Sequence, residues 1–112
     1  MINIPDLDIR PPERFRAGTT ARIPVALIVD GAFYTAPALP VFTVIDTVGS
    51  IFLVTCAAWP TDRYNRNWNY YADFSIPSNA VVGVYHGYLS FINPTGTPGG
   101  SRKLPCLTVD PY

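Results

Sequence analysis

The segment Trp68-Asn-Tyr-Tyr-Ala-Asp-Phe-Ser-Ile76 gives the clearest sign of how the chain folds. Apolar side chains occupy every second position, and mostly polar side chains stand between them. Successive side chains of a β-strand point to opposite faces, so this alternation predicts a strand with one face in a hydrophobic core. Pro77-Ser-Asn79 follows at once and predicts the turn that ends the strand.

The rest of the chain is also divided into short β-rich runs between turn signals. Its 12 prolines and 8 glycines leave little room for a helix of more than about two turns, and no segment has an apolar 3.6-residue period. The other predicted strands are 22–30, 41–46, 51–58, 82–92 and 102–109. For a chain of 112 residues, this pattern predicts one all-β domain, a sandwich or a barrel.

Two of the predicted strands carry features that bear on their position. Pro24 cannot donate a hydrogen bond to a neighbouring strand, which predicts an edge or a bulge in strand 22–30. The run Ile51-Phe-Leu-Val54 is apolar on both faces. It therefore predicts a strand that is central in its sheet, covered by another element, or part of an interface.

Three short motifs suggest a more specific fold. They are Phe74-Ser-Ile-Pro77, Gly83-Val-Tyr85 and Leu107-Thr-Val109. Their order resembles that of immunoglobulin-like sandwich domains of bacterial and tailed-phage proteins, over residues 14 to 110. The resemblance implies an immunoglobulin-like antiparallel β-sandwich of about seven strands, with Tyr85 able to make the hydroxyl-to-backbone bond of a tyrosine corner. Cys56 and Cys106 depart from the antibody pattern, since they are not placed for its inter-sheet bridge.

Residues 1–13 differ in their sequence pattern from the domain of residues 14–112 that follows. Ile2, Ile4, Leu7 and Ile9 are spread among polar residues and prolines, which predicts an extended N-terminal arm. Buried on a partner, four such side chains would contribute roughly 6–10 kcal/mol before the cost of ordering the arm. Docking on a partner is the preferred arrangement. The alternative is that the arm packs on its own sandwich as an added edge strand.

Composition excludes several classes of partner. Eight basic and eight acidic side chains balance, so the chain lacks the basic excess of a nucleic-acid-binding protein. No stretch approaches the roughly 18 apolar residues that span a bilayer, and the N-terminus lacks the regions of a secretory signal. We therefore expect no membrane partner and synthesis in a host cytoplasm, which favours reduced cysteines. Charged residues are only 14%, which is typical of a protein docked on another surface.

No motif predicts chemistry at a site. His86 is the only histidine, and neither a GxSxG elbow nor a papain-type cysteine motif accompanies it. The two cysteines lack the spacing of a zinc site, and the glycine-rich loop at 93–100 lacks the phosphate-binding pattern. The sequence therefore predicts no catalytic residue, no metal, no cofactor and no enzymatic activity.

An aromatic cluster between residues 59 and 71 is the strongest candidate for a contact surface within the domain. Trp68 and Tyr70 are interpreted as core residues of their strand. Trp59, Tyr64 and Tyr71 are candidates for contact with a protein or a sugar, because aromatic rings are frequent anchors of binding sites.

The resemblance also implies a class of function. Short, proline-rich domains of this kind are similar to accessory virion proteins of tailed bacteriophages. The chain is thus predicted to be a structural protein of the virion that binds a phage capsid or tail protein, and both roles allow self-association. Capsid decoration, as by a cement protein, is the first expectation, a tail or baseplate adaptor the second, and a carbohydrate-binding module the third. The predicted partner-binding residues are Ile2, Ile4, Leu7, Ile9, Trp59, Tyr64 and Tyr71.

Overall fold

The structure of the chain, a computed structural model, describes residues 6–9, 13–59 and 68–111. Within these ranges the chain forms eleven strands and no helix, so the all-β prediction is confirmed. The strands are β1 (Asp6–Ile9), β2 (Glu13–Arg16), β3 (Thr20–Val29), β4 (Ala32–Phe33), β5 (Val41–Ile45), β6 (Ile51–Thr55), β7 (Ala57–Ala58), β8 (Tyr70–Ser75), β9 (Gly83–Ile92), β10 (Pro98–Gly100) and β11 (Leu104–Asp110).

The strands form two sheets. The five-stranded sheet has the order β1-β3-β8-β7, and β4 also pairs with β3. The six-stranded sheet has the order β2-β11-β9-β5-β6, and β10 also pairs with β9. The pairing of β2 with β11 is parallel, and the other pairings are antiparallel.

The core lies between the inner faces of the two sheets. Alternate side chains of three strands line it: Tyr85, Leu89 and Phe91 on β9, Leu107 and Val109 on β11, and Ile23, Val25 and Leu27 on β3 are all buried. The rings of Phe52 on β6 and Phe74 on β8 meet across the layers at 5.2 Å. The chain is therefore a two-layer β-sandwich in which alternating apolar side chains interdigitate.

The predicted strand 51–58 is not one strand, because the chain changes sheets at Cys56. The last rung of the β5–β6 pairing is the bond from the Cys56 N–H to the Pro40 carbonyl, at 2.8 Å. The next residue, Ala57, pairs with Tyr71 in the other sheet. One apolar run therefore supplies two short strands, and β6 lies at the open edge of the six-stranded sheet.

Pro24 lies on β3, which has strands on both sides in the sheet order, but the described pairing of Pro24 itself is on the β8 side only. It stands opposite Tyr71 of β8, where the alternating hydrogen-bond pattern needs no donor from either residue. Its nitrogen points toward the side on which β1 pairs, and the described β1 ladder covers Val25 to Ile28. Proline is accommodated because it replaces a donor that the β3–β8 ladder does not use.

The start of β9 contains the hydrogen bond expected of a tyrosine corner. The Tyr85 hydroxyl donates to the Val81 carbonyl at 2.6 Å, four residues back along the chain. Gly83, between them, has φ +127°, and a Cβ there would lie 2.7 Å from Thr47 Cγ2. Glycine is required at this position both by the backbone conformation and by the approach of the β5–β6 turn.

Both cysteines are buried free thiols. Cys56 lies at the junction of β6 and β7, and Cys106 is an extra residue in β11 where the register with β9 shifts. No helix in the described ranges is long and apolar enough to cross a membrane.

Candidate protein-binding surface

The outer face of the six-stranded sheet is apolar and uncharged over three adjacent strands. The sequences of β5, β6 and β9 contain no Asp, Glu, Lys or Arg. Most sandwich strands carry polar residues on the side that faces water. Here that side is formed by Val41, Thr43, Ile45, Ile51, Leu53, Val84 and Tyr88, which we call the apolar face.

Strand register arranges these side chains in rows. Ile51, Ile45 and His86 form one row across β6, β5 and β9, and Leu53, Thr43 and Tyr88 form the next. Neighbours in a row have Cβ atoms about 4.5–5.5 Å apart and therefore touch. Thr43 has only 2% of its surface exposed although it points outward, as expected if Leu53 and Tyr88 cover it from both sides.

Several members of the apolar face are strongly exposed. Ile51 is 62% exposed, Leu53 72% and Val84 45%. The turn between β5 and β6 adds Val48, which is 72% exposed. Asp46 holds this turn, because its Oδ1 accepts the N–H groups of both Val48 and Ser50. A cluster of this kind on one side of a small domain is typical of a protein-binding surface.

Charged groups border the apolar face at the opposite edge of the sheet. Arg14 on β2 and Asp110 on β11 form an ion pair there, with the Arg14 Nε donating to Asp110 Oδ2 at 3.1 Å. Arg16 is opposite Asp110 in the β2–β11 register and is exposed. An apolar centre with a polar rim is the usual arrangement of a protein interface.

A groove lies beside the apolar face, where the two sheets part between β6 and β8. It has a volume of about 410 Å³. Its floor includes Phe52 and Phe74, and Leu53 and Asp73 belong to its walls. Leu53 belongs both to the groove and to the apolar face, so the two adjoin.

Trp59 and Tyr71, both in the aromatic cluster predicted from the sequence, meet as a tilted pair. Their ring centroids are 4.6 Å apart and their planes cross at 52°. The Trp59 Nε1 donates to the Tyr70 carbonyl at 3.0 Å, which fixes the indole against β8. Both rings are half-buried. The tilt and partial burial of this pair differ from the coplanar exposed rings expected of a carbohydrate-binding module.

A charged pair completes the Trp59–Tyr71 cluster. The Arg22 guanidinium lies 4.2 Å from the Tyr71 ring centroid and donates to both carboxylate oxygens of Asp73, at 2.8 and 2.9 Å. These hydrogen bonds hold the pKa of Asp73 below its ordinary value and raise the pKa of Arg22. The cation and the carboxylate therefore stabilise one another beside the rings.

The other predicted partner-binding residues belong to the N-terminal segment or to the loop after Trp59. Ile2, Ile4 and Tyr64 lie outside the described residues. Leu7 and Ile9 belong to β1, which pairs with Leu27 and Val25 of β3. Residues 6–9 thus form an added edge strand on the chain's own sandwich, the second of the two arrangements that the sequence left open.

His86 lies in the six-stranded sheet, whereas Tyr70 lies in β8 of the other sheet. His86 is half-buried in the outer row with Ile45 and Ile51. Tyr70 is 2% exposed, as predicted for a core residue, whereas Trp68 is half-buried and precedes β8. Within the described ranges, His, Cys, Asp and Glu side chains form no group of three or more that could hold a metal ion.

Most of the apolar face was not identified from the sequence. The run at 51–54 was noted as apolar on both sides, but Ile45, Val84 and Tyr88 were read only as members of separate strands. A signal was present, since β5, β6 and β9 are all free of charge. Three uncharged strands form one apolar surface only if they are neighbours in a sheet, and local sequence patterns do not predict which strands are neighbours.

Searches against protein-family models, curated proteins and solved structures found no match for the chain.

Proposed function

We propose that the chain is a non-enzymatic structural protein that docks on another protein through its apolar face. The observation that carries this proposal is the exposure of Ile51, Leu53 and Val84 on strands without a single charge. Burying such side chains on a partner contributes about 25 cal/mol per Å² of apolar surface. Chemistry at a reactive site plays no part in this role.

We further propose that the sandwich is of the immunoglobulin-like type. The Tyr85–Val81 hydrogen bond supports it, because a tyrosine at the start of a strand that bonds back to the preceding corner recurs in immunoglobulin-like domains. The two-sheet arrangement also supports it. The additional strands β1 and β2 extend the two sheets at their outer edges.

The proposed setting is the surface of a tailed-phage virion, with capsid decoration as the first role and a tail or baseplate adaptor as the second. The resemblance of the Phe74–Pro77, Gly83–Tyr85 and Leu107–Val109 motifs to phage accessory domains supports this setting. So does the low charged content of 14%. A capsid offers many identical sites, so a modest contact per copy is multiplied in the assembled particle.

A binding assay with purified particles tests the proposal. Undecorated heads and separate tails of the phage that encodes the chain are mixed with the protein, and bound protein is measured after co-sedimentation. We expect saturable binding to heads. Val84→Lys, which places a charge in the apolar face, is expected to weaken binding at least tenfold, because the lysine must be desolvated at the interface.

Thr20→Lys is the matched control for this assay. Thr20 is exposed on the other sheet, so the same charge is introduced away from the apolar face. We expect it to bind like the wild type. Binding to tails alone would select the adaptor role, and binding to neither particle would contradict the virion proposal. Equal loss in both lysine variants would contradict the assignment of the surface.

A further inference from the structure

The outer edge of β6 presents unpaired backbone groups. The bonds from Asp46 N–H to the Ser50 carbonyl and from Cys56 N–H to the Pro40 carbonyl mark the two ends of the β5–β6 ladder. Antiparallel ladders alternate, so between these ends Phe52 and Val54 point their backbone groups at β5. Ile51, Leu53 and Thr55 point theirs the other way, and no strand of the described ranges pairs on that side.

The three other strands that end a sheet order in the described ranges carry features that discourage strand pairing. β2, at the far edge of the same sheet, contains Glu13, Arg14 and Arg16. In the other sheet, β1 contains Asp6 and Asp8, and β7 has only two residues. Charges and short length are the usual protection of an edge. β6 has five residues and no charge, proline or bulge.

We infer that β6 pairs antiparallel with β6 of a second copy of this chain. A two-fold axis at Leu53 sets Leu53 opposite its own copy and Ile51 opposite the partner's Thr55. The outward backbone groups of these three residues then form about six hydrogen bonds between the copies. The six-stranded sheets join into one continuous sheet across the dimer.

A second copy fits this edge because the edge is self-complementary. In a two-fold interface each side chain meets the same surface of its partner, so any charge near the axis meets its like. β6 has no charge to repel its copy. Pairing also covers Leu53, which is 72% exposed, with an identical apolar side chain.

The size of the contact determines how strongly the copies associate. Five residues per copy are far fewer than the roughly 20–30 a side of a standard stable interface. The dimer therefore dissociates on dilution. It joins two apolar faces edge to edge and leaves the rest of each face, including Val84, exposed, so it does not depend on the docking role proposed above.

Sedimentation equilibrium of the full chain over a range of concentrations tests the inference. The wild type is expected to shift from a monomer of 12.3 kDa to a species of twice that mass. Leu53→Lys places two lysines at the axis and is expected to abolish the shift. Val48→Lys is the matched control, because Val48 is also 72% exposed but lies in the turn before β6. It is expected to dimerise like the wild type.

Amide hydrogen exchange distinguishes edge pairing from stacking of the apolar faces. On dimerisation, the amides of Ile51, Leu53 and Thr55 are expected to exchange at least tenfold more slowly, and those of Phe52 and Val54 are expected to change little. A wild type that stays monomeric up to about 1 mM overturns the inference. So does a dimer that survives Leu53→Lys, or one that protects no amide of the edge. Val84→Lys separates the two proposals, since it should keep the dimer while losing the docking.

Discussion

Burial of the Cys56 and Cys106 thiols makes the fold less stable as the pH becomes alkaline. Both thiols have almost no exposed surface. Burial raises the pKa of each to about 12 from an ordinary value of 9.0. Above pH 9 the unfolded chain releases these protons and the folded chain keeps them. The stabilisation is therefore complete below pH 9 and is lost as the pH rises toward 12.

Cysteine replacement tests this dependence. Above the pKa that a thiol has in the unfolded chain, each further pH unit lowers the free energy of unfolding by about 1.4 kcal/mol for each buried thiol. The penalty of Cys56→Ala, measured by urea unfolding under reducing conditions, should thus shrink by about 2 kcal/mol between pH 9 and pH 10.5. Val109→Ala, a buried residue that does not titrate, should show the same penalty at both pH values. An unchanged Cys56→Ala penalty would mean that the folded thiol ionises normally.

The side-chain amide of Asn69 makes hydrogen bonds to backbone groups that a neighbouring strand would otherwise make. Its Oδ1 accepts the Leu27 N–H at 2.8 Å, and its Nδ2 donates to the carbonyls of Leu27 and Tyr34, at 3.3 and 3.0 Å. Leu27 lies beyond the end of the β3–β8 register, and its carbonyl accepts the Tyr34 N–H at 2.9 Å. The amide of Asn69 satisfies the Leu27 N–H and ties the connection after β4 to the sheet.

At the scale of the element, the centre of β9 is shaped by a contact between Gly87 and Phe42. A Cβ on Gly87 would lie 2.5 Å from Phe42 Cζ and 2.9 Å from the Thr43 carbonyl oxygen. The Phe42 ring is fully buried and packs where a side chain of β9 would otherwise stand. Glycine inside a strand often marks such a close approach.

Gly87→Ala is expected to lower the free energy of unfolding by about 1–3 kcal/mol, because the buried ring must move to admit the methyl group. Urea unfolding measures this loss. Gly100→Ala is the control, since a Cβ there meets only the Leu89 carbonyl oxygen, at 3.4 Å. Adding Phe42→Leu to Gly87→Ala should recover part of the loss relative to the sum of the single variants. Strict additivity would show that the ring is not the obstacle.

For the molecule as a whole, the N-terminal segment adds one edge strand to each of the two sheets. β1 covers the edge of β3, and β2 extends the other sheet beside β11. The β3 amides divide between the two sides of the strand: those of Ala26 and Ile28 face β1, whereas that of Leu27 faces Asn69. Residues 6–9 therefore contribute to folding as well as to any surface they form.

Deletion of residues 1–9 is expected to destabilise the domain by about 2–4 kcal/mol, from the loss of the β1 hydrogen bonds. The melting temperature should fall by at least about 8 °C. Hydrogen exchange provides an internal control, since Ala26 and Ile28 should exchange faster while Leu27 keeps its bond to Asn69. A deletion variant as stable as the full chain would show that β1 adds nothing to the free energy of folding.

The all-β class and most of the long strands can be predicted from local sequence patterns. The alternation in 68–76 placed Tyr70, Phe74 and Ile76 in the core, because the two-residue period of a strand is a local property of the backbone. The hydrogen bond of the Tyr85 hydroxyl, which the resemblance to immunoglobulin-like domains implies, is also local, since it reaches only four residues back along the chain. Each of these features depends on residues that are close in sequence.

Local patterns do not predict which strands are neighbours, because strand pairing is a property of the folded chain. The change of sheet at Cys56 interrupts an apolar run that reads as one strand, and the parallel partner of β2 lies about 90 residues away. Register then brought Ile45, Leu53 and Tyr88 onto one face and left β6 with a free edge. Pairing between distant strands depends on the packing of the whole core, so the binding surface belongs to the assembled sheets and not to any one segment.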